Sequence, residues 1–581
     1  MMSSQLPTPP ELVDLSGPPK FTIEDHAIDE FPALKVGVIG AGLSGITAGI
    51  LLPIKVPGIQ LTIFEKNADV GGTWLENIYP GVRCDVPAHV YQSTFDPNTQ
   101  WSEEFAQGKE ILEYWRSTAR KHNTYQYIQF HRQVQQLVWG EEDAKWTLHL
   151  LDVQTGKELQ EQFDFVISAV GHFNAWKLPE YPGIQDYRGH LRHSSHWDPN
   201  FNPKDKKVAL IGNGASGVQL LPELQQVASH VDHYARNKTY IAPALAGKER
   251  SRLPVYFSEE QKSFFQDPET YLSFRKEVET SYFRRFESFF KDSALNKALR
   301  DDIEKSMARR LEKRPDLLDY LRPDFSPHCR RLTPGPGYLE ALMEDNVSLV
   351  RQPIERFTET GIVTTDGVER SYDAIICATG ANIDFSPPFP IIANRVNLQT
   401  AWRPGGHFGF PASYLGLAAP LFPNLLFLNG PQASGPSGTQ LHTVETQTTY
   451  VANVLRKVSK QRIRTIRPSQ AAVDDFTAYS EAFFPLTVMT EYCQSWANGG
   501  NPTGRIHGYW PGSASHVAQV RREPRWEDWE YTYRSPSGNR FAFFGNGWTK
   551  KELEEESDLT PYLKVPDQID LRAYHENWFD I

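Results

Sequence analysis

Two Gly-x-Gly-x-x-Gly loops, Gly40-Ala41-Gly42-Leu43-Ser44-Gly45 and Gly212-Asn213-Gly214-Ala215-Ser216-Gly217, constrain this chain more than any other feature. Each follows an apolar run (LKVGVI and KKVALI), opens an apolar stretch of helical period, and is followed by a second strand-like run (LTIFEK and HVDHYAR). That is the strand–loop–helix–strand context in which the pattern has a physical meaning. The first glycine turns sharply, the second lets a pyrophosphate approach the backbone, and the third lets helix and strand pack closely. The helix N-terminus then supplies partial positive charge. One such pattern is weak evidence; two in the right context are strong. The competing reading of the second loop is a degenerate duplicate that binds nothing.

The two units end with opposite charge. Glu65 lies twenty residues after Gly45, where a carboxylate accepts hydrogen bonds from ribose hydroxyls and repels a 2′-phosphate. This loop suits FAD or NAD. The equivalent position of the second unit is Arg236, with Lys238 nearby, and a guanidinium there favours a 2′-phosphate. FAD and NADPH are the expected pair, with hydride transfer to the flavin as the basic reaction.

At 581 residues the chain exceeds a single core, and two or three domains are expected. The fold class is α/β, with two Rossmann-like dinucleotide-binding domains plus a helical insertion. The boundaries read as an irregular, Pro-rich extension over 1–30, FAD domain over 31–187, NADP domain over 188–384, and the rest of the FAD domain with a C-terminal region over 385–581. FDFVISAVGH and YDAIICATGAN are read as buried strands with small-residue exits, one after each unit. Residues 258–322, dense in Lys, Arg, Glu and Phe, read as amphipathic helices. Packing on the host domain is at least as good an account of them as a binding role.

A net charge of −11 argues against nucleic acid as the main partner. Four cysteines, Cys84, Cys329, Cys377 and Cys493, form no CxxC pair or zinc knuckle, which disfavours a disulfide reductase and a metal site. With no signal peptide, this suggests a reducing, cytoplasmic setting. Val36–Ile54 carries no charge over 19 residues, but its five glycines and a proline fit a buried strand and helix better than a membrane span. A monomer acting on a small molecule is expected.

Two further stretches carry a resemblance. Gly72-Thr73-Trp74-Leu75-Glu76-Asn77-Ile78-Tyr79-Pro80-Gly81-Val82-Arg83-Cys84-Asp85 matches a signature of the type I Baeyer–Villiger monooxygenases. Tyr187-Arg188-Gly189-His190-Leu191-Arg192-His193-Ser194-Ser195-His196-Trp197-Asp198 resembles their F-x-G-x-x-x-H-x-x-x-W-[P/D] fingerprint, with Tyr187 for Phe. The segment Cys329–Gly335 looks like fungal members acting on bulky or polycyclic ketones. The resemblance runs from about Leu34 to about Trp496 and implies a FAD domain with an inserted NADP domain, which FAD-type elements before His190 and again after about Phe385 fit.

It implies that NADPH and O2 serve to insert one oxygen beside a ketone carbonyl through a flavin peroxide, giving an ester or lactone. Arg331 aligns with the family's active-site arginine, where a permanent cation suits anion stabilisation and is poor at proton donation. Asp85 is its expected partner, against an ordinary turn carboxylate. Besides the first loop and Glu65, the FAD contacts implied are Gly72, Thr73, Trp74, Asp85, Val86, Tyr91 and Val134. NADP contacts implied are Arg83, the second loop, Arg236, Asn237, Arg330 and Arg331. His193 and Trp197 are read as substrate or domain-coupling residues, and Trp496 as lying near nicotinamide and substrate, before a glycine-rich loop suited to closing the site. The alternatives are an N-hydroxylating or sulfoxidising monooxygenase of the same fold, and a redox-sensing flavoprotein without catalysis.

Overall fold

The computed structural model describes residues 21–173, 175–242 and 255–576. Most of the expected extension over 1–30 lies outside the described residues; its last ten residues form no helix or strand. By compactness the chain forms two units. The smaller combines the described parts of segments 1–33, 455–466 and 531–581. It is largely irregular and held by backbone hydrogen bonds such as Ile28 N–H to Trp548 O (2.9 Å) and Asn546 N–H to His26 O (2.9 Å).

The larger unit, residues 34–454 and 467–530, contains both glycine loops. Its first five-stranded sheet is all parallel, in the order Leu425–Phe427, Phe165–Ser168, Leu34–Ile39, Ile59–Phe64, Ile128–Gln129. The second is also all parallel, in the order Val347–Val350, His230–Tyr234, Lys207–Ile211, Ala374–Cys377, His190–His193. Strands with both faces covered need continuous apolar sequence, and Phe165–Ser168, Ala374–Cys377 and Leu425–Phe427 are buried at every position. The second sheet is complete between residues 190 and 377, whereas the first recruits its edge strand from 425–427. One dinucleotide-type module is thus inserted in the other. A mixed five-stranded sheet (132–140, 145–152, 158–163, 391–393, 396–397) packs Trp139, Trp146 and Phe163 against the first module.

The charged stretch is helical: Glu259–Phe264, Pro268–Arg284, Ala294–Arg310 and Pro315–Leu321, with a 3-10 turn over Arg285–Phe289. The starts follow capping chemistry. Ser258 forms a capping box with Gln261, and Asp267 accepts from Thr270 N–H ahead of Pro268. Ile303, Met307, Leu311, Leu317 and Leu321 join the core of the second module, so the insertion does pack on its host.

Cys329 and Cys493, 164 residues apart, are joined by a disulfide, while Cys84 and Cys377 are buried and free. This pair runs against the reducing setting suggested by four cysteines without a local motif; long-range proximity leaves no mark in local spacing. Among the described residues no helix is long and apolar enough to cross a membrane. The uncharged run Val36–Ile54 is divided between a strand, the glycine turn and a helix.

Candidate functional site

The two loops have the same local geometry. Gly40 and Gly212 take φ of +100° and +104°, and a Cβ on either would lie within 2.8 and 2.4 Å of the carbonyl oxygens of Ala169 and Ala378. A Cβ on Gly45 or Gly217 would sit 1.9 Å from the oxygen of the first glycine of its own loop. Neither of these third glycines reaches the cavity described below; they set the helix against the strand. Gly42 and Gly214 occupy the N-cap positions of helices Leu43–Lys55 and Ala215–Gln225, and neither helix has a side-chain cap. Their first N–H groups therefore lack side-chain acceptors and face a space into which a phosphate oxygen would fit.

Both loops open on one cavity of about 1280 Å3, larger than the roughly 300–1,000 Å3 typical of a single small-ligand pocket. At the first loop Glu65 is buried and accepts from Ala41 N–H (2.8 Å) and Asn67 N–H (2.9 Å), and burial raises its pKa. At the second loop Arg236 is exposed at the cavity wall and makes no hydrogen bond or ion pair with any described residue. Lys238, grouped with it in the sequence, instead pairs with Asp324 at 2.7 Å. A carboxylate at one end and an unpaired guanidinium at the other fit two dinucleotides of opposite 2′ chemistry.

The loops are tied together. Tyr79 Oη donates to Gln219 Oε1 (2.8 Å), and Gln219 Nε2 donates to Arg83 O (3.0 Å), linking the first signature to the second loop's helix. The signature ends at Asp85, whose two oxygens accept from Arg331 Nε (2.6 Å) and Nη2 (2.7 Å). This bidentate pair spans 246 residues and lines the cavity, with side chains 44% (Arg331) and 20% (Asp85) exposed, the exposure being to the cavity itself. Asp85 raises the Arg331 pKa far above the ordinary value, against the opposing effect of burial, so the guanidinium stays charged at any working pH. Pairing of Ile241 with Thr333 holds the Arg330-Arg331 turn next to the Arg236 strand exit. On the other side, the Cys329–Cys493 disulfide and the 2.7 Å bond from Ser326 N–H to Glu491 fasten it to the segment leading to Trp496.

Most residues expected at the site line this cavity. Leu43, Ser44, Gly72, Thr73, Val86 and Val134 do so, as do Trp74 and Tyr91, whose rings meet edge-on with Trp74 Nε1 donating to Tyr91 Oη (3.3 Å). Ser216, Asn237 and Arg330 line it too, burial lowering the Arg330 pKa. Arg83 also lines it, but its Nη1 is engaged by the buried Glu103 at 3.0 Å. His193 and Trp197 do not. His193 stacks on Trp176 (5.3 Å), and burial lowers its pKa to about 4. Trp197 belongs to the core of the second module. Tyr187, standing where the fingerprint has Phe, is buried and uses its hydroxyl to donate to Tyr372 O (2.8 Å).

Several site residues were not anticipated. Tyr509 lies against Arg331, whose charge favours the phenolate, but burial dominates and raises its pKa. His172 stacks on Trp496 and Phe385 (both 5.3 Å), and burial first, then Arg331, lowers its pKa to about 4, so it is a neutral ring at the cavity wall. The insertion contributes Tyr282, Arg285 and Phe289. Isolated aromatic residues in a chain that is 12% aromatic carry no sequence signal.

Comparison with known proteins agrees with this geometry. Residues 33–248 match the flavin-binding monooxygenase-like family. The chain is 33% identical over 551 residues to the FAD-binding monooxygenase moxY of Dothistroma septosporum, covering 93% of this chain and 86% of that one. It is 29% identical over 501 residues to a Baeyer–Villiger monooxygenase of Pseudomonas aeruginosa, covering 84% and 90%. The crystal structure of OTEMO in complex with FAD and NADP superposes with a TM-score of 0.73 at 25% identity, over 87% of this chain and all of that one. The chain belongs to the flavin-binding monooxygenase family, as a flavoprotein resembling the type I Baeyer–Villiger monooxygenases.

Proposed function

We propose that this flavoprotein monooxygenase is a Baeyer–Villiger enzyme: ketone, O2, NADPH and a proton give an ester or lactone, NADP+ and water. The observation that carries the proposal is the Arg331–Asp85 pair, fixed bidentately in the wall of the cavity that both glycine loops open on. The flavin, reduced by the nicotinamide, supplies the oxygen-activating chemistry when bound.

The protein's own residues bind and polarise. The uncapped helix at Gly42 and the Glu65 carboxylate suit the pyrophosphate and ribose of FAD, with Trp74, Tyr91, Val86 and Val134 as apolar contacts. The second loop, Arg236, Asn237 and Arg330 suit NADP, Arg236 taking the 2′-phosphate. In this reading the NADP domain is 188–384, with the helices of 258–322 as part of it, and the FAD domain is 31–187 completed by residues after 385. His193 and Trp197 then couple the domains rather than touch substrate.

Arg331 stabilises the negative charge that develops on the substrate's carbonyl oxygen as oxygen adds. Its raised pKa makes it a fixed charge and not a proton donor. Asp85 is a positioning residue that sets the guanidinium plane. His172, neutral and in contact with the rings of both Trp496 and Phe385, helps exclude water.

An N- or S-oxygenating enzyme needs no such fixed cation, because there no carbonyl oxygen gains charge. The test is purified holoenzyme with NADPH, O2 and a panel of ketones, amines and sulfides, scored by product mass. Esters from ketones support the proposal. S- or N-oxides alone, with no ester from any ketone, refute it.

A further inference from the structure

Among the described residues eight Lys and Arg side chains line the cavity, and five have carboxylate partners: Lys66 with Glu76, Arg83 with Glu103, Arg132 with Asp152, Arg331 with Asp85 and Arg351 with Asp316. Arg236 and Arg330 stand at the second nucleotide loop, where a phosphate is expected. Arg285 is left over. It comes from the 3-10 turn Arg285–Phe289 that ends the long helix of the insertion, not from either nucleotide loop.

Its guanidinium makes no hydrogen bond or ion pair with any described residue. Nε is sealed from solvent and unpartnered, and the guanidinium carbon lies 3.8 Å from the centre of the Tyr282 ring. No carboxylate among the described residues pairs with Arg285. His328, stacked on Phe289 at 4.0 Å, is held neutral with a pKa lowered to about 3, by burial first and then by Arg285 and Arg331. Arg285 is close enough to Arg331, Tyr509 and Asp85 to feel their charges, and the Asp85 carboxylate already accepts from Nε and Nη2 of Arg331. A buried cation is costly unless something pairs with it, and one aromatic face compensates only in part.

We propose that Arg285 is the anchor for an anionic oxygen on the substrate, so that the preferred ketones are aromatic compounds carrying a carboxylate or an ionised phenol in addition to the reacting carbonyl. Tyr282, over which Arg285 lies, and the cavity-lining Phe289, Tyr509 and Trp496 supply the flat apolar contacts for such a frame. A planar guanidinium binds a carboxylate through two parallel N–H donors and a phenolate through one or two. Arg285 selects which ketone enters, while Arg331 acts on the carbonyl. This inference rests on the ketone-oxidising reading of the same cavity.

The test measures binding without turnover. Oxidised FAD-loaded enzyme with NADP+ is titrated with acetophenone, 4-acetylbenzoate and 4-hydroxyacetophenone, and Kd is read from the flavin absorbance change. Wild type should bind 4-acetylbenzoate at least about tenfold more tightly than acetophenone, about 1.4 kcal/mol. If the natural group is a phenolate, 4-hydroxyacetophenone should show the preference instead, growing as pH rises through the phenol's ionisation. Arg285→Met should abolish the preference, and Arg285→Lys should keep part of it. Arg285→Gln serves if the Met variant does not bind flavin. The proposal is overturned if wild type shows no preference for either acid, if the preference survives Arg285→Met, or if the variant weakens NADP+ binding and leaves the preference intact. Tight, Arg285-dependent binding of the acids without ester formation would instead refute the oxygen-insertion reading alone.

Discussion

If Asp85 acts only by holding Arg331, the two residues must fail a test of additivity in a defined way. In the proposed mechanism, Arg331→Ala removes the fixed cation that meets charge on the carbonyl oxygen. Loss of a single oxyanion stabiliser costs roughly 3–4 kcal/mol, or about 10²- to 10³-fold in rate. Asp85→Ala leaves the cation but removes its two acceptors at 2.6 and 2.7 Å. Hydrogen bonds to charged groups are worth about 1.5–3 kcal/mol each when buried. With side chains 44% and 20% exposed to the cavity, screening reduces this, and a loss of about tenfold is the reasonable expectation. The double variant should then be no slower than Arg331→Ala alone, a coupling close to the whole Asp85 effect. Ester formation is measured by product mass in single turnovers. Flavin reduction by NADPH is followed anaerobically and should fall much less than ester formation. Losses that multiply in the double variant would show that Asp85 works elsewhere, and a wild-type ester yield from Arg331→Ala would remove the cation from the mechanism.

Arg236→Ala should raise the KM for NADPH by about 10- to 100-fold and narrow the preference over NADH, because a charge-assisted phosphate contact is lost; an unchanged NADPH/NADH ratio in steady-state kinetics would exclude Arg236 as the phosphate ligand. Burial lowers the pKa of His172, His193 and His233 to about 4 and of His328 to about 3, from an ordinary value near 6.5. Between these values the unfolded chain binds more protons than the folded one, so stability is full above about pH 6.5 and falls as pH drops toward 4. Tm by scanning fluorimetry should decline across that window, and a flat profile from pH 7 to pH 4.5 would contradict the burial of these rings. Reducing the Cys329–Cys493 disulfide, or Cys329→Ser with Cys493→Ser, should lower Tm, since closing a 164-residue loop stabilises by up to about 5 kcal/mol in the chain-entropy account. A melting curve indifferent to dithiothreitol would refute a structural role for that bond.

What was legible in the sequence was local. Gly40 and Gly45 act on each other across five residues, and the capping and packing they permit repeat at Gly212 and Gly217, so the two modules and their helices could be read from spacing. Glu65 and Arg236 were legible for the same reason: each sits one helix and one strand after its loop, and the sheet geometry fixes that distance. Arg331 and Asp85 were reached through their resemblance to a family and not through spacing, because nothing within a few residues of either reports a contact across 246 positions.

The residues that escaped notice share a cause. Tyr509, His172 and Arg285 come from a late loop, a strand exit and an inserted helix, and each matters only because the chain returns to the same cavity. The charged insertion shows why composition misleads here. Its many Arg and Lys side chains are read as a solvated face, and most are, since Arg284 is exposed and Arg300 pairs with Glu304 on its own helix. One residue from Arg284 along the chain, Arg285 turns inward with no partner. The buried positions Tyr271, Arg275 and Tyr282 recur at helical spacing, and Arg285, three residues after Tyr282, continues that inward stripe into the 3-10 turn. Among the described residues, the site's one unneutralised cation away from the second nucleotide loop thus lies on an inward face that composition alone reads as solvated, and that is where information about the substrate, as opposed to the cofactors, is to be sought.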